Sequence, residues 1–166
     1  MNLNIVTLVL IGIMVLITLG YKSAQDADIP CSPDYVSTLS RNFIHLDNIH
    51  LFSNMYTFYY LSQVERSMGS VPYLSLIGVL VIIQTTLEWI ISNFYDLKCS
   101  IGFSGILYGL LVWYIYYYQN LNYQIFAGIF ATLVTSSLQN PRLSFAGHLI
   151  GFVSGLIVVH FKQFFL

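Results

Sequence analysis

The chain has 166 residues, of which 57% are hydrophobic and 8% charged, and its formal net charge is −1. A soluble domain of this length cannot hide so much apolar surface, and soluble domains carry about a quarter charged residues. Composition therefore excludes an ordinary soluble enzyme, and the net charge gives no electrostatic case for binding nucleic acid. The mean hydropathy of +0.72 indicates a single-domain integral membrane protein whose surroundings are a lipid bilayer.

Six apolar segments are predicted to span the membrane as helices, for which about 20 residues are needed. In chain order they cover residues 3–20, 49–64, 72–91, 102–118, 123–138 and 144–161. The polar residues 21–42 are predicted to form a loop after the first helix. We therefore expect an all-α polytopic bundle of six transmembrane helices, in which residues 1–42 precede a core of residues 43–166.

The first apolar segment has a second interpretation, as a cleaved signal peptide. Such a peptide has a basic segment before its apolar run and small residues at its cleavage site. Asn2 and Asn4 are the only polar residues before this run. A retained membrane span is therefore the favoured interpretation.

Polar side chains fall at the starts of the even-numbered spans. Because such groups are costly inside a bilayer, each is a functional candidate. In an alternating six-span chain, the starts of spans two, four and six lie at one membrane face. The side chains concerned are His45, His50, Asn54, Ser104 and His148.

These residue types suit acyl-transfer chemistry. A serine becomes nucleophilic when a neighbouring base accepts its proton, and an imidazole has a suitable pKa near neutral pH. Ser104 and His148 supply one of each. His50 and Asn54 are four residues apart, so both can point from one helix face towards the negative charge that develops on an attacked carbonyl.

Small residues recur on the two spans that carry this pair. Such stripes let membrane helices approach closely, which would bring Ser104 and His148 within hydrogen-bond distance. The stripe of span four has Gly102, Gly105 and Gly109, and that of span six has Gly147, Gly151 and Gly155.

Four short motifs occur in order along the chain. Residues 102–105 read Gly-Phe-Ser-Gly and match a GxSG nucleophile motif, and residues 148–155 match HxxGxxxG. Residues 45–54 carry a histidine followed by HxxxN, and residues 65–69 match an ExxxG-type turn. Together, from about residue 42 to the end, they resemble the rhomboid family of intramembrane serine proteases.

The resemblance implies a cofactor-free and metal-free serine endopeptidase with a Ser-His dyad. Ser104 would be the nucleophile and His148 its base. His50, Asn54 and Gly102 would stabilise the oxyanion or the substrate. The substrates implied are single-pass transmembrane proteins, cleaved in or near their spanning helix by a minimal six-helix enzyme.

The resemblance also implies supporting residues. Tyr108 lies one turn after Ser104, where family members often stack an aromatic ring on the catalytic imidazole. His45 occupies a position that often supports the structure. Glu65 and Arg66 are interpreted as a turn-stabilising pair. The family's usual Trp-Arg pair is missing from the loop after the first span.

The family orientation places the amino end in the cytosol and the active site on the extracytosolic side. The few charges mildly favour the reverse by the positive-inside rule. In the family orientation Cys31 and Cys99 both face the extracytosolic side, where a disulfide could form.

Other interpretations remain open at this stage. Ser104 alone could be a small residue at a helix contact, and His148 an interhelical hydrogen-bond partner. An inactive rhomboid-like protein that binds membrane clients would usually lose the Ser or the His, and this chain has both. A small transporter would place polar groups along a path through the bilayer, and Glu88 is the main residue that fits this.

Overall fold

The computed structural model describes residues 4–23, 31–95, 97, 99–118, 124–125, 127–128, 131 and 145–161. All regular structure in these residues is helical, which confirms the predicted all-α class. The helices are α1 (Ile5–Ser23), α2 (Tyr35–Arg41), α3 (Asn48–Leu61), α4 (Gln63–Met68), α5 (Ser70–Ser92), α6 (Ser104–Tyr118) and α7 (Phe145–His160).

Five of the six predicted spans correspond to helices of the structure. The first, second, third, fourth and sixth match α1, α3, α5, α6 and α7 with small shifts at their ends. The fifth predicted span, residues 123–138, lies largely outside the described residues. Among the residues that are described, α5 is long and apolar enough to cross a bilayer. The apolar segments of α1 and α7 are shorter.

The prediction of a loop throughout residues 21–42 is wrong for residues 35–41, which form α2. This helix begins because the carboxylate of Asp34 accepts a hydrogen bond from the Ser37 N–H at 2.8 Å. An aspartate at this position satisfies one of the amides that a helix start leaves unpaired. Thr38 and Arg41 of α2 are buried, so this segment packs on the bundle and does not extend from it.

Glu65 joins three helices. Its carboxylate accepts hydrogen bonds from the Val6 N–H at 2.8 Å, the Thr7 hydroxyl at 2.7 Å and the Ser70 hydroxyl at 2.8 Å. A carboxylate at the start of α1 is also favoured by the helix dipole. Glu65 is therefore structural, as predicted, but among the described residues its partners are Val6, Thr7 and Ser70, and the predicted pair with Arg66 is not formed.

Helices α6 and α7 pack through glycines, as the sequence predicted. A Cβ atom added to Gly155 would lie 2.6 Å from the Gly109 carbonyl oxygen, and one added to Gly109 would lie 3.1 Å from the Gly151 carbonyl oxygen. Side chains at these positions would push the helices apart. The close approach sets the distance between Ser104 on α6 and His148 on α7.

The residue before Ser104 is anchored in the core. Phe103 is fully buried. Its ring centre lies 5.2 Å from that of Phe58 and 5.7 Å from that of Phe43. This aromatic cluster fixes the point at which α6 begins.

Candidate active site

Ser104 and His148 meet across the α6–α7 contact. The serine Oγ lies 2.9 Å from the histidine Nε2, which is hydrogen-bond distance. Ser104 is half-buried at the first position of α6, whereas His148 is 7% exposed. The hydroxyl is therefore accessible to a reactant while the imidazole is shielded from bulk water.

The imidazole of His148 rests on an aromatic ring. The ring centres of Tyr108 and His148 are 4.9 Å apart and their planes are inclined by 39°. Nδ1 of His148 is buried and has no hydrogen-bond partner among the described residues. The structure thus brings Tyr108 to the position that the sequence predicted for it.

His50 lies against the backbone just before Ser104. A Cβ atom added to Gly102 would lie 2.6 Å from Cε1 and 2.7 Å from Nε2 of His50, so the ring covers this glycine. The His50 Nε2 is buried and has no hydrogen-bond partner in the described part of the chain. The side chain of Asp47 caps the start of α3 by accepting the His50 N–H at 2.7 Å. This bond fixes the backbone from which the His50 ring extends.

Asn54 and Gly102 each have one N–H donor that is already engaged in a hydrogen bond. The amide nitrogen of Asn54 donates to the His50 carbonyl at 2.9 Å, one turn back on α3. The Gly102 N–H donates to the Arg41 carbonyl at 2.9 Å. Gly102 therefore contributes space for His50, and its amide is already paired. Among the described residues, the bond to His50 is the one that the Asn54 amide nitrogen donates, which leaves its second hydrogen for another acceptor.

His45 supports the backbone beside the nucleophile. Its Nε2 accepts the Phe103 N–H at 3.4 Å, and its Nδ1 lies 3.5 Å from the Thr18 hydroxyl. Burial and the nearby charge of His50 lower the pKa of His45 to about 4. A neutral ring can accept at one nitrogen and donate at the other, which suits a structural role.

The beginning of α6 provides a further electrostatic element. The N–H groups in the first turn of a helix have no partner within the helix, and the helix dipole places partial positive charge there. Ser104 is the first residue of this helix. A carbonyl oxygen attacked by Ser104 would develop its charge near these amides and the His50 ring.

Two contacts near the site were not predicted as contacts. Arg41 and Glu88 form a buried ion pair at 3.2 Å. Cys31 and Cys99 form a disulfide, which the sequence had left open. For the ion pair, the available signal was the carboxylate of Glu88 within an apolar span. A buried carboxylate needs a cation, and Arg41 supplies it.

A third unpredicted contact network connects the loop to α5. The Asn42 side chain donates to the Thr85 hydroxyl at 3.1 Å and accepts from the Gln84 amide at 3.3 Å. Gln84 fills the space beside Gly105, where an added Cβ would lie 2.7 Å from its Cδ. A side chain at position 105 would therefore have to displace Gln84, and on α7 it is Gly151 that lies against the backbone of Gly105.

Comparison with known proteins places these features in a family. A sequence model described as Rhomboid domain matches residues 33–162. The Rhomboid protease GlpG of Haemophilus influenzae is 26% identical over 173 residues, covering 92% of this chain and 88% of the relative. The Putative rhomboid protein L523 of Acanthamoeba polyphaga mimivirus is 26% identical over 128 residues, covering 76% of this chain and 74% of the relative.

A human protein is also similar. Rhomboid-related protein 4 of Homo sapiens is 30% identical over 130 residues. The match covers 68% of this chain and 41% of the human protein, so the similarity concerns less than half of that relative.

Proposed function

Since this chain belongs to the rhomboid family, we propose that it is an intramembrane serine endopeptidase. Its substrates would be single-pass transmembrane proteins, cleaved in or near their spanning helix. The observation that carries the proposal is the 2.9 Å separation of Ser104 Oγ and His148 Nε2 at the start of α6. The similarity to the Rhomboid protease GlpG of Haemophilus influenzae supports the same activity.

In the proposed reaction His148 acts first as general base. Its Nε2 accepts the Ser104 proton while Oγ attacks the substrate carbonyl carbon. The same imidazole then returns the proton to the leaving amine, and an acyl-enzyme on Ser104 remains. Water, deprotonated by His148, hydrolyses this ester and frees the serine. The ring contact with Tyr108 holds the imidazole plane during these transfers.

The negative charge on the tetrahedral oxygen would be stabilised at the same corner. The donors are the Ser104 N–H at the beginning of α6, the His50 ring and the second amide hydrogen of Asn54. The buried and unpartnered Nε2 of His50 supports this role, because a buried polar atom costs free energy unless it finds a partner. Protonated at Nε2, His50 would find that partner in the oxyanion.

We assign the chain to a multi-pass membrane bundle of six spanning helices with its site on the extracytosolic side. The long apolar α5 and the shorter apolar helices in α1 and α7 support the assignment to a membrane. The disulfide supports the orientation, because Cys31 and Cys99 lie on the same side as the start of α6 and disulfides form in oxidising compartments.

A substrate helix must unwind before it can react. Within an α-helix each carbonyl accepts a hydrogen bond from the residue four positions on, and neighbouring side chains shield it. Substrates with Gly or Pro near the cleaved bond should therefore react faster, because these residues weaken the helix.

The direct test is cleavage of a single-pass substrate with a Gly-Pro interruption, reconstituted with the purified protein in liposomes. We expect cleavage by the wild type and a fall of at least about a thousandfold in Ser104→Ala and in His148→Ala, in line with the size of base catalysis. Ser75→Ala is the matched control, because Ser75 is exposed on α5 and, among the described residues, its hydroxyl donates to the Val71 carbonyl of its own helix. Cleavage that persists in folded Ser104→Ala would refute the mechanism.

A further inference from the structure

Arg41 is the last residue of α2, and its side chain is 5% exposed. One guanidinium nitrogen, Nη1, donates to the Ser32 carbonyl at 3.0 Å. The other, Nη2, donates to the Thr38 hydroxyl and to Glu88 Oε1, each at 3.2 Å. The side chain thus fixes the end of α2 to its own loop and to α5.

Glu88 is the partner of Arg41 in this ion pair. It lies within the apolar helix α5 and is 4% exposed. A buried ion pair gains little net stability, because the cost of removing two charges from water offsets their attraction. Such pairs are better explained where they fix one arrangement among several.

What this pair fixes is the backbone of Arg41. The Arg41 carbonyl accepts the Gly102 N–H at 2.9 Å. Gly102 has a φ of 102°, in the region that favours glycine, and it carries the chain under the His50 ring. The position of the Arg41 carbonyl therefore sets the position of Gly102.

Three consecutive residues are held by three different elements. Gly102 is held by Arg41, Phe103 by the His45 ring, and Ser104 by His148. The bond from Gly102 to the Arg41 carbonyl depends on the ion pair between Arg41 of α2 and Glu88 of α5. A shift of Arg41 would rotate the peptide units that lead to Ser104, and with them the amide that faces the developing oxyanion.

We propose that Arg41, anchored by Glu88, is a positioning residue for catalysis, which acts by holding Gly102 and the start of α6 in place. The inference rests on the proposed function, since it assigns Arg41 to the reaction at Ser104. Arg41 is linked to the start of α6 by the hydrogen bond from the Gly102 N–H to its carbonyl. Its effect passes through one backbone hydrogen bond.

The decisive variant replaces the pair by apolar residues of similar size, Arg41→Met with Glu88→Leu. Such replacements usually keep or raise stability. The Arg41 carbonyl would then lose its side-chain anchors. We expect a thermal midpoint at or above that of the wild type, a kcat lower by about tenfold or more, and a KM within about twofold, because orientation acts on the chemical step.

Two single variants complete the cycle. Arg41→Gln and Glu88→Gln each leave one group without its ionic partner, so we expect a lower kcat together with a lower thermal midpoint. Arg66→Gln is the matched control, since Arg66 is an exposed arginine of α4. A double apolar variant with wild-type stability and wild-type kcat would overturn the proposal.

Hydrogen exchange separates this inference from the proposed function. The amide of Gly102 should exchange at least about tenfold faster in the double apolar variant than in the wild type, while the Leu107 amide, bonded to the Phe103 carbonyl, should keep its rate. Unchanged exchange at Gly102 would refute the positioning role. A wild type that shows slow exchange at Gly102 but cleaves no substrate would contradict the proposed function and leave the structural part of the inference standing.

Discussion

Gly102 meets two demands that no other residue can meet together. Its φ of 102° lies where side chains are strained, and a Cβ atom would collide with the His50 ring. The left-handed conformation alone costs about 1–2 kcal/mol for an L-residue with a side chain. A side chain at position 102 would also displace the His50 ring, which is expected to stabilise the oxyanion.

Gly102→Ala should therefore lower the cleavage rate by about tenfold or more, with a smaller loss of stability. Gly78→Ala on α5 is the control, because an added Cβ there meets nothing within 4 Å. Initial rates in liposomes and thermal midpoints in detergent measure the two effects. A Gly102→Ala enzyme as fast as the control would show that His50 does not depend on this close approach.

The sequence placed Ser104 and His148 close together, as the structure does, but it did not predict most of the contacts around them. Ser104 and His148 could be paired because nucleophile and base types stood on alternate spans beside glycine stripes. The pairing of Arg41 with Glu88 could not be derived, because residues 21–42 were predicted to be a loop and the position of Arg41 relative to α5 was unknown. The paired amide of Gly102 was equally hidden, since backbone hydrogen bonds between loops leave no trace in residue type.

The contact between α6 and α7 is the element that turns two distant residues into a pair. At Gly155 an added Cβ would meet the Gly109 oxygen at 2.6 Å, the Gly109 Cα at 2.8 Å and the Val112 Cβ at 2.8 Å. Two of these atoms are backbone and cannot move aside independently of α6. Overpacking of this kind costs about 1–3 kcal/mol.

We expect Gly155→Ala to lower the free energy of unfolding by about that amount. It should also slow cleavage, because the helices separate and the bond from Ser104 to His148 lengthens. Gly12→Ala on α1, where an added Cβ meets nothing within 4 Å, should leave both quantities near the wild-type values. Equal behaviour of the two variants would contradict the assigned packing.

Glu65 gives the bundle a pH dependence. Burial would raise the pKa of this carboxyl, but hydrogen bonds from Thr7, Val6 and Ser70 outweigh burial and hold the pKa below its ordinary value. A carboxyl whose pKa is lower in the folded state stabilises above its unfolded pKa, which is about 4.3. That contribution is lost as the pH falls through the folded pKa.

The thermal midpoint of the wild type should thus fall steeply as the pH drops below about 4.3. Glu65→Gln should start from a lower midpoint at neutral pH and show a shallower acid decline, since its amide does not titrate. Thermal unfolding in detergent between neutral and acid pH provides the comparison. Parallel declines in both proteins would show that other carboxyls control acid stability.

At the scale of elements, long apolar runs were predicted well and short polar helices poorly. Helix α5 is recognisable because its apolar residues far outnumber its polar ones. Helix α2 has seven residues, most of them polar, and is formed by the Asp34 cap and by burial of Arg41. The cap is a local contact between Asp34 and Ser37 that apolar periodicity does not register, and the burial of Arg41 depends on tertiary contacts.

On the scale of the whole molecule, a disulfide joins two segments that are far apart in the sequence. Cys31 and Cys99 are 68 residues apart, so their bond closes a long loop and ties the segment before α2 to the segment before α6. Both cysteines line a cavity of about 200 Å³ together with Arg41 and Glu88. A disulfide that closes a long loop typically contributes about 2–5 kcal/mol.

Replacing both cysteines by serine should lower the free energy of unfolding by about this amount. Treatment of the wild type with a dithiol reductant should lower its thermal midpoint to that of the double variant. The reductant should have no effect on the variant, which has no other cysteines. A midpoint that is insensitive to reduction in the wild type would contradict the role assigned to this bond.

The central claim is that His148 activates Ser104, and covalent labelling tests it most directly. The purified protein in detergent would be treated with a fluorophosphonate, and the modified residue located by peptide mass spectrometry. We predict labelling of Ser104 in the wild type and loss of labelling by about a hundredfold or more in folded His148→Ala, because the base is missing. Labelling of Ser104 at the same rate without His148, or no labelling of Ser104 in the folded wild type, would contradict the account.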